Sequence, residues 1–381
     1  MNNKSANVRV SLSELATFFL KLGTIAFGGP AAHIAMMEHE LVRRRCWIPR
    51  EKFLDLLGAS NLIPGPSSSE LAIHIGFLLG GWPGLLIAGC CFIMPAAVLV
   101  AGLAWLYVRF GKLPTVASIL FGIKPMIIGV ILQALWGLGR SALKSRLLGS
   151  LGLLCVILAF AAVHPLLILV LGGVAAATAK SISHRSCSWL ASFAAGSCIG
   201  IAGVSFSLTL LFLVFLKIGA TVFGSGYVLL AFLRADFVTR YHWLTDGQII
   251  DAVAVGQITP GPVFTTATFI GYLLGGFPGA IFATVGIFLP AFMLVAASGP
   301  LVPRIRKSAT AGAFLDGVNV ASLALMAAVT WQLGRASLVD PITLALAVFA
   351  VICLWRFRLN SAWLVPLGGM AGLLAKAIHT G

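Results

Sequence analysis

Proline, glycine and a handful of ionisable groups stand inside apolar stretches of this chain, where each carries a cost, and most of them do so twice. Residues 64–66 and residues 260–262 both read PGP. Proline lacks a backbone donor and glycine relaxes the φ/ψ restriction, so each triplet should stop a helix and let it restart. A restarted helix presents unpaired N–H groups and about half a positive charge at its N-terminus, which suits an anion without any side chain. FGGP at 27–30 and FGSG at 223–226 have the same character. The candidate anion-binding set is Gly28, Gly29, Asn61, Pro64, Gly65 and Pro66 in one half, with Gly224, Ser225, Gln257, Pro260, Gly261 and Pro262 in the other. Close packing of helices through small residues is the structural alternative. Lys21 and Lys217 put positive charge inside the first apolar run of each half, where such a group marks a substrate path, a buried pair or a snorkelling side chain. Glu70 and His74 lie four apart after the first PGP, a spacing that suits a proton relay or a structural hydrogen bond. The second copy has only Thr265, Thr266, Phe269 and Ile270 there.

The elements that must position these residues are themselves duplicated. PGPSSSELAIHIGFLLGGWPG at 64–84 returns as PGPVFTTATFIGYLLGGFPG at 260–279. Lys21, Phe27, Trp47, Asp55 and Pro64 match Lys217, Phe223, Trp243, Asp251 and Pro260 at an offset of 196; Gly76, Gly81, Gly122, Trp136 and Arg140 match Gly271, Gly276, Gly317, Trp331 and Arg335 at 195. The expected organisation is a first repeat over 1–179, a linker with an extra apolar run over 180–207, and a second repeat over 208–381. With 59% hydrophobic residues and 10% charged ones, the chain exceeds what a soluble core can absorb. Residues 84–108 and 279–303 each run 25 residues without a charge, long enough to span a bilayer. Internal repeats in so apolar a chain point to a secondary transporter with its site at the repeat interface. The fold class expected is all-α: a polytopic membrane protein with broken helices.

Charge placement bears on topology. Basic turns follow different elements in the two halves, Arg140, Lys144 and Arg146 in the first and Arg304, Arg306, Lys307, Arg356 and Arg358 in the second. By the positive-inside rule the halves have inverted orientation. Counting each PGP stretch as one broken crossing gives thirteen spans; counting it as a re-entrant hairpin gives about eleven. Thirteen is favoured by an odd number of crossings per repeat, although Arg43, Arg44, Arg45, Arg50 and Lys52 would then face outward. The net charge of +15 is read as topological anchoring, with no nucleic acid as partner. No removable signal peptide is expected at the N-terminus. Seven cysteines without a CxxC pair are read as buried small hydrophobes, and His33 and His39 as interface residues, so no metal and no cofactor is expected. No hydrolase or nucleotide-binding motif is present, so the protein is not expected to be an enzyme.

At FGGPAAHIAMM (27–37), the two PGP-to-PG stretches and FGSGY (223–227), the chain resembles the chromate ion transporters of the two-domain, long-chain type. The resemblance covers both halves. It implies a bacterial inner-membrane exporter of chromate, powered by the membrane potential or proton gradient and often linked to sulfate, whose partners are the oxyanion and the lipid bilayer. A homodimer is left open. A general sulfate or oxyanion carrier is one alternative, and an intramembrane enzyme using Glu70 and His74 is another.

Overall fold

A computed structural model describes residues 10–27, 29–111, 113–161, 163–182, 206–223, 228–298, 309–357, 359 and 361–380. The first half holds α1 (Leu12–Ile25), α2 (Gly29–Met37, running on as a π-helical stretch Glu38–Arg44), α3 (Arg50–Ser60), α4 (Ser67–Phe110), α5 (Pro114–Ala142), α6 (Arg146–Phe160) and α7 (Pro165–Ile182). The second holds α8 (Leu208–Thr221), α9 (Leu229–Leu233, with π-helical Arg234–Arg240), α10 (Asp246–Ile258), α11 (Thr266–Ser298), α12 (Ala309–Ser337), α13 (Pro341–Arg356) and α14 (Ser361–Thr380). No strand occurs among the described residues.

The repeats fold alike down to single bonds. Cys46 and His242 each take a left-handed conformation after their π-helical stretch, at φ 51° and 54°. Trp47 and Ile48 donate to the Leu41 carbonyl as Trp243 and Leu244 donate to that of Phe237. One ion pair is kept with its charges exchanged: Glu38 faces Arg50 at 4.0 Å, and Arg234 faces Asp246 at 2.8 Å.

α1 spans 14 residues, a rise of about 21 Å against roughly 30 Å of hydrocarbon. It reaches only part-way and turns back. Arg45, beyond the π-helical stretch, stacks 5.6 Å from the Phe18 ring, so α2 returns along α1. The PGP stretch does the same. Asp251 and Phe269 both meet Tyr107, near one end of α4, whereas Gly261 lies against Ala96 in its middle. α10 therefore runs inward, turns at PGP, and comes back as the first part of α11. The re-entrant alternative describes this stretch.

The LLGG(W/F)PG element is the next turn. Gly81 and Gly276 sit at φ 60° and 61°, left-handed backbone that favours glycine, and there each long helix folds back on itself. A β-carbon on Gly76 would strike the Gly84 carbonyl, and one on Gly271 that of Gly279, so the two arms touch through backbone. Without a hydrophobic drive between helices in lipid, such close approach supplies the packing. The long second parts, residues 82–110 and 277–298, pack against each other. Leu85 clusters with Ala291 and Val295, and Phe292 covers Gly89, while residues 94–105 share a 570 Å³ groove with residues 268–285. Numbers rise along one as they fall along the other: the matched spans are antiparallel.

The remaining helices are exchanged between halves. α5 packs on α13 and α14 of the second half, and α12 packs on α6 and α7 of the first. Gly122 meets the backbone of Gly368 and Gly372; its match, Gly317, meets Gly172 and Ala176.

Candidate anion-binding site

Where a helix stops inside a membrane its last carbonyls lose their partners and must find others. α1 ends at Ile25 and α8 at Thr221, and Ala26 and Val222 follow in extended conformation. Glycine is the only member of each PGP triplet with an N–H. Gly261 donates to the Ala26 carbonyl at 3.1 Å, and Gly65 to that of Val222 at 2.7 Å. Each PGP tip is thus tied to the broken helix of the opposite half. The expectation that these glycine amides stand free is corrected by these bonds: the orphaned carbonyls of α1 and α8 take them. The two PGP tips and the ends of α1 and α8 form two crossed pairs.

The first-half junction is markedly polar. His33 is fully buried on α2, its ring edge-on to Phe92. Its Nε2 lies 3.1 Å from the Ala26 carbonyl and its Nδ1 3.2 Å from Ser68 Oγ. A carbonyl only accepts, so Nε2 carries the hydrogen and Nδ1 accepts from the serine. Interface exposure, expected for both histidines, holds for His39 and fails for His33. The missed signal was its position one turn after the FGGP break, on the face turned to PGP.

Glu70 is fully buried, and its carboxyl fills the space that a side chain at Gly65 would need. Neither carboxyl oxygen has a hydrogen-bond partner among the described residues, nor do Ser69 Oγ and His74 Nε2. Glu70 and His74 are therefore not bonded to each other. In the second half Thr265 and Thr266 turn their hydroxyls back to the carbonyls of Pro262 and Val263, at 2.8 and 2.7 Å. The chemistry of the two junctions is unequal although their backbones match.

The structure does not bring the lysines to the PGP tips. Lys217 pairs with Asp236 at 2.7 Å, close to the α6–α7 turn, where His164 is held below its ordinary range by burial and then by the Lys217 charge. Lys21 is exposed and makes no ion pair among the described residues; Glu40, which matches Asp236, is taken by Arg44 and Arg45. Asn61 is exposed at the end of α3, Gln257 is buried in α10, and Gly29 opens α2 at φ 75°. Gly28, Gly224 and Ser225 lie outside the described residues. Lys124 and Asp316, in the interiors of α5 and α12, are neutralised across the halves: Lys124 by Asp251 at 3.4 Å and Asp316 by Lys144 at 2.8 Å. Among the described residues no cluster of three or more histidine, cysteine or carboxylate groups is arranged for a metal.

Two breaks with matching backbones are thus tied crosswise inside a duplicated unit. Residues 13–177 and again 209–373 match the chromate transporter family. The chain belongs to that family. It is 34% identical over 377 residues to the chromate transport protein of Cupriavidus metallidurans, covering 96% of this chain and 93% of that one. It is 32% identical to the chromate transport protein of Pseudomonas aeruginosa, covering 96% and 92%. An uncharacterized transporter of Bacillus subtilis matches 36% of this chain but 76% of its own length, so this family member's kin include chains of about one repeat. No solved structure matches.

Proposed function

We propose that the protein carries chromate across the bacterial inner membrane as a secondary transporter, exporting it, and that the anion sits where the PGP tips meet the ends of α1 and α8. The crossed pairing carries this reading: Gly65 with Val222 and Gly261 with Ala26 put two helix restarts and two helix ends together inside protein. Free backbone dipoles at membrane depth are tolerated only where protein or a cavity satisfies them. Of the candidate set, Gly29, Pro64, Gly65, Pro66, Pro260, Gly261 and Pro262 form the walls, Asn61 and Gln257 flank them, and Lys21 and Lys217 act at the approaches. Sulfate is also a tetrahedral dianion and would compete for the same place. Expelling a dianion from an inside-negative cell gains about 2.3 kcal/mol per charge per 100 mV, or roughly 4.6 for two charges. Everted membrane vesicles test this. Chromate should accumulate under an imposed potential, slow with added sulfate and stop with an uncoupler; flux equal to that of vesicles lacking the protein would refute it.

The antiparallel packing of 82–110 on 277–298 supports inverted halves, as do the exchanged basic turns. Cysteines at the exposed positions Leu143 and Val339, in a background without native cysteines, should react with an impermeant reagent from opposite sides. Reaction from one side only would exclude inversion.

A further inference from the structure

We propose that Glu70 is a proton site linked to anion binding, so that one proton and one dianion occupy the first-half junction together. The inference rests on the anion site proposed above and adds its coupling. Glu70 is fully buried against Gly65, and both its oxygens lack a partner among the described residues. The groups that face it from neighbouring elements do not answer its charge. From α11 it meets Ala291, which is apolar. On α2, His33 is engaged by Ala26 and Ser68. α1 offers Lys21 and α3 offers Asp55, both with exposed side chains, and Lys217 of α8 is held by Asp236. On its own helix His74 lies one turn on, its Nε2 without a partner among the described residues.

An ionised carboxylate and a dianion at one junction repel strongly where water is scarce. The anion therefore binds to the neutral acid, and by reciprocity its binding draws a proton onto Glu70. The proton comes from water on the loading side and leaves to water on the other, with no other bond changed. Proton and anion then travel in the same direction. The second half has Thr266 in the matching place, its hydroxyl spent on Val263, so one proton moves per cycle.

The test uses the full chain in lipid nanodiscs, with chromate binding followed by calorimetry in two buffers of different ionisation enthalpy, at pH values where chromate stays a dianion. Wild type should take up close to one proton per chromate, with affinity falling about tenfold per pH unit once empty Glu70 is ionised. Glu70→Gln should bind with no proton uptake and no pH slope. Glu70→Thr, which copies the second half, provides a second uncharged side chain if the first fails to insert. Uptake or slope persisting in these variants overturns the proposal, as does binding to wild type without proton uptake. The two readings fail separately, since absence of any chromate binding to wild type would remove the anion site itself.

Discussion

Gly261→Ala is expected to lower chromate flux by at least about thirtyfold and to reduce the amount of inserted protein, through two costs that add. The residue sits at φ 89°, where a β-carbon is strained by about 1–3 kcal/mol. That β-carbon would also lie 2.8 Å from the Ala96 β-carbon and 3.3 Å from the Gly23 carbonyl oxygen. Neither neighbour is a flexible side-chain tip, so α4 or α1 must shift, at a further ~1–3 kcal/mol. The Gly261–Ala26 bond, which closes one crossed junction, is lost in the process. Gly65→Ala should be milder although its φ is 138°, because the group in its way is the Glu70 carboxyl, which can rotate. Adding Glu70→Ala should then relieve most of the clash. Flux is measured per inserted protein, and equal flux from Gly261→Ala and wild type would show that the tip does not touch the transport path.

What the sequence made legible was whatever is duplicated. PGP, LLGG(W/F)PG and the FGGP break stand out because glycine and proline inside apolar runs have few uses, and the structure turns the chain at each of them. Partners were not legible. Hydropathy cannot say that Lys124 of one half meets Asp251 of the other, or that Lys217 meets Asp236, because pairing depends on which helix lies alongside and not on composition. Helix length misled in a specific way: the run 12–29 reads as a span, yet the backbone leaves the helix at Ala26 and comes back along itself. The sequence does not single out His33, since its nearest neighbours with chemistry, Glu38, His39 and Glu40, point elsewhere, while its partners are a backbone carbonyl at Ala26 and a side chain 35 residues away, Ser68.

The unequal junctions change the energetics of the proposed export. If a dianion leaves alone, 100 mV contributes about 4.6 kcal/mol; with a proton on Glu70 the complex carries one net charge and the potential contributes about 2.3. A pH gradient directed inward would then oppose export. Such a carrier would respond to potential and to pH in opposite senses, which a potential-driven uniporter does not.

The second-half hairpin is held shut by a polar contact between the halves. Asp251 is buried on α10, accepts from the Tyr107 hydroxyl at 2.9 Å and pairs with Lys124 at 3.4 Å, so it ties α10 to α4 and α5. α10 also packs on α12 and α14, whereas Arg50, Glu51, Lys52, Leu54 and Asp55 of the matching α3 are exposed. The contact therefore biases the protein toward the arrangement with α10 closed. Removing one partner of a buried pair costs about 3–5 kcal/mol, and less here because Lys124 is 28% exposed; about 2 kcal/mol is a fair expectation. Asp251→Asn should thus raise the open population of α10 by about thirtyfold, read as faster thiol labelling of Val253→Cys. Tyr107→Phe should speed the same labelling by a smaller factor, since it removes one hydrogen bond and leaves the ion pair. Labelling rates unchanged by Asp251→Asn would mean that α10 is kept closed by its apolar packing alone.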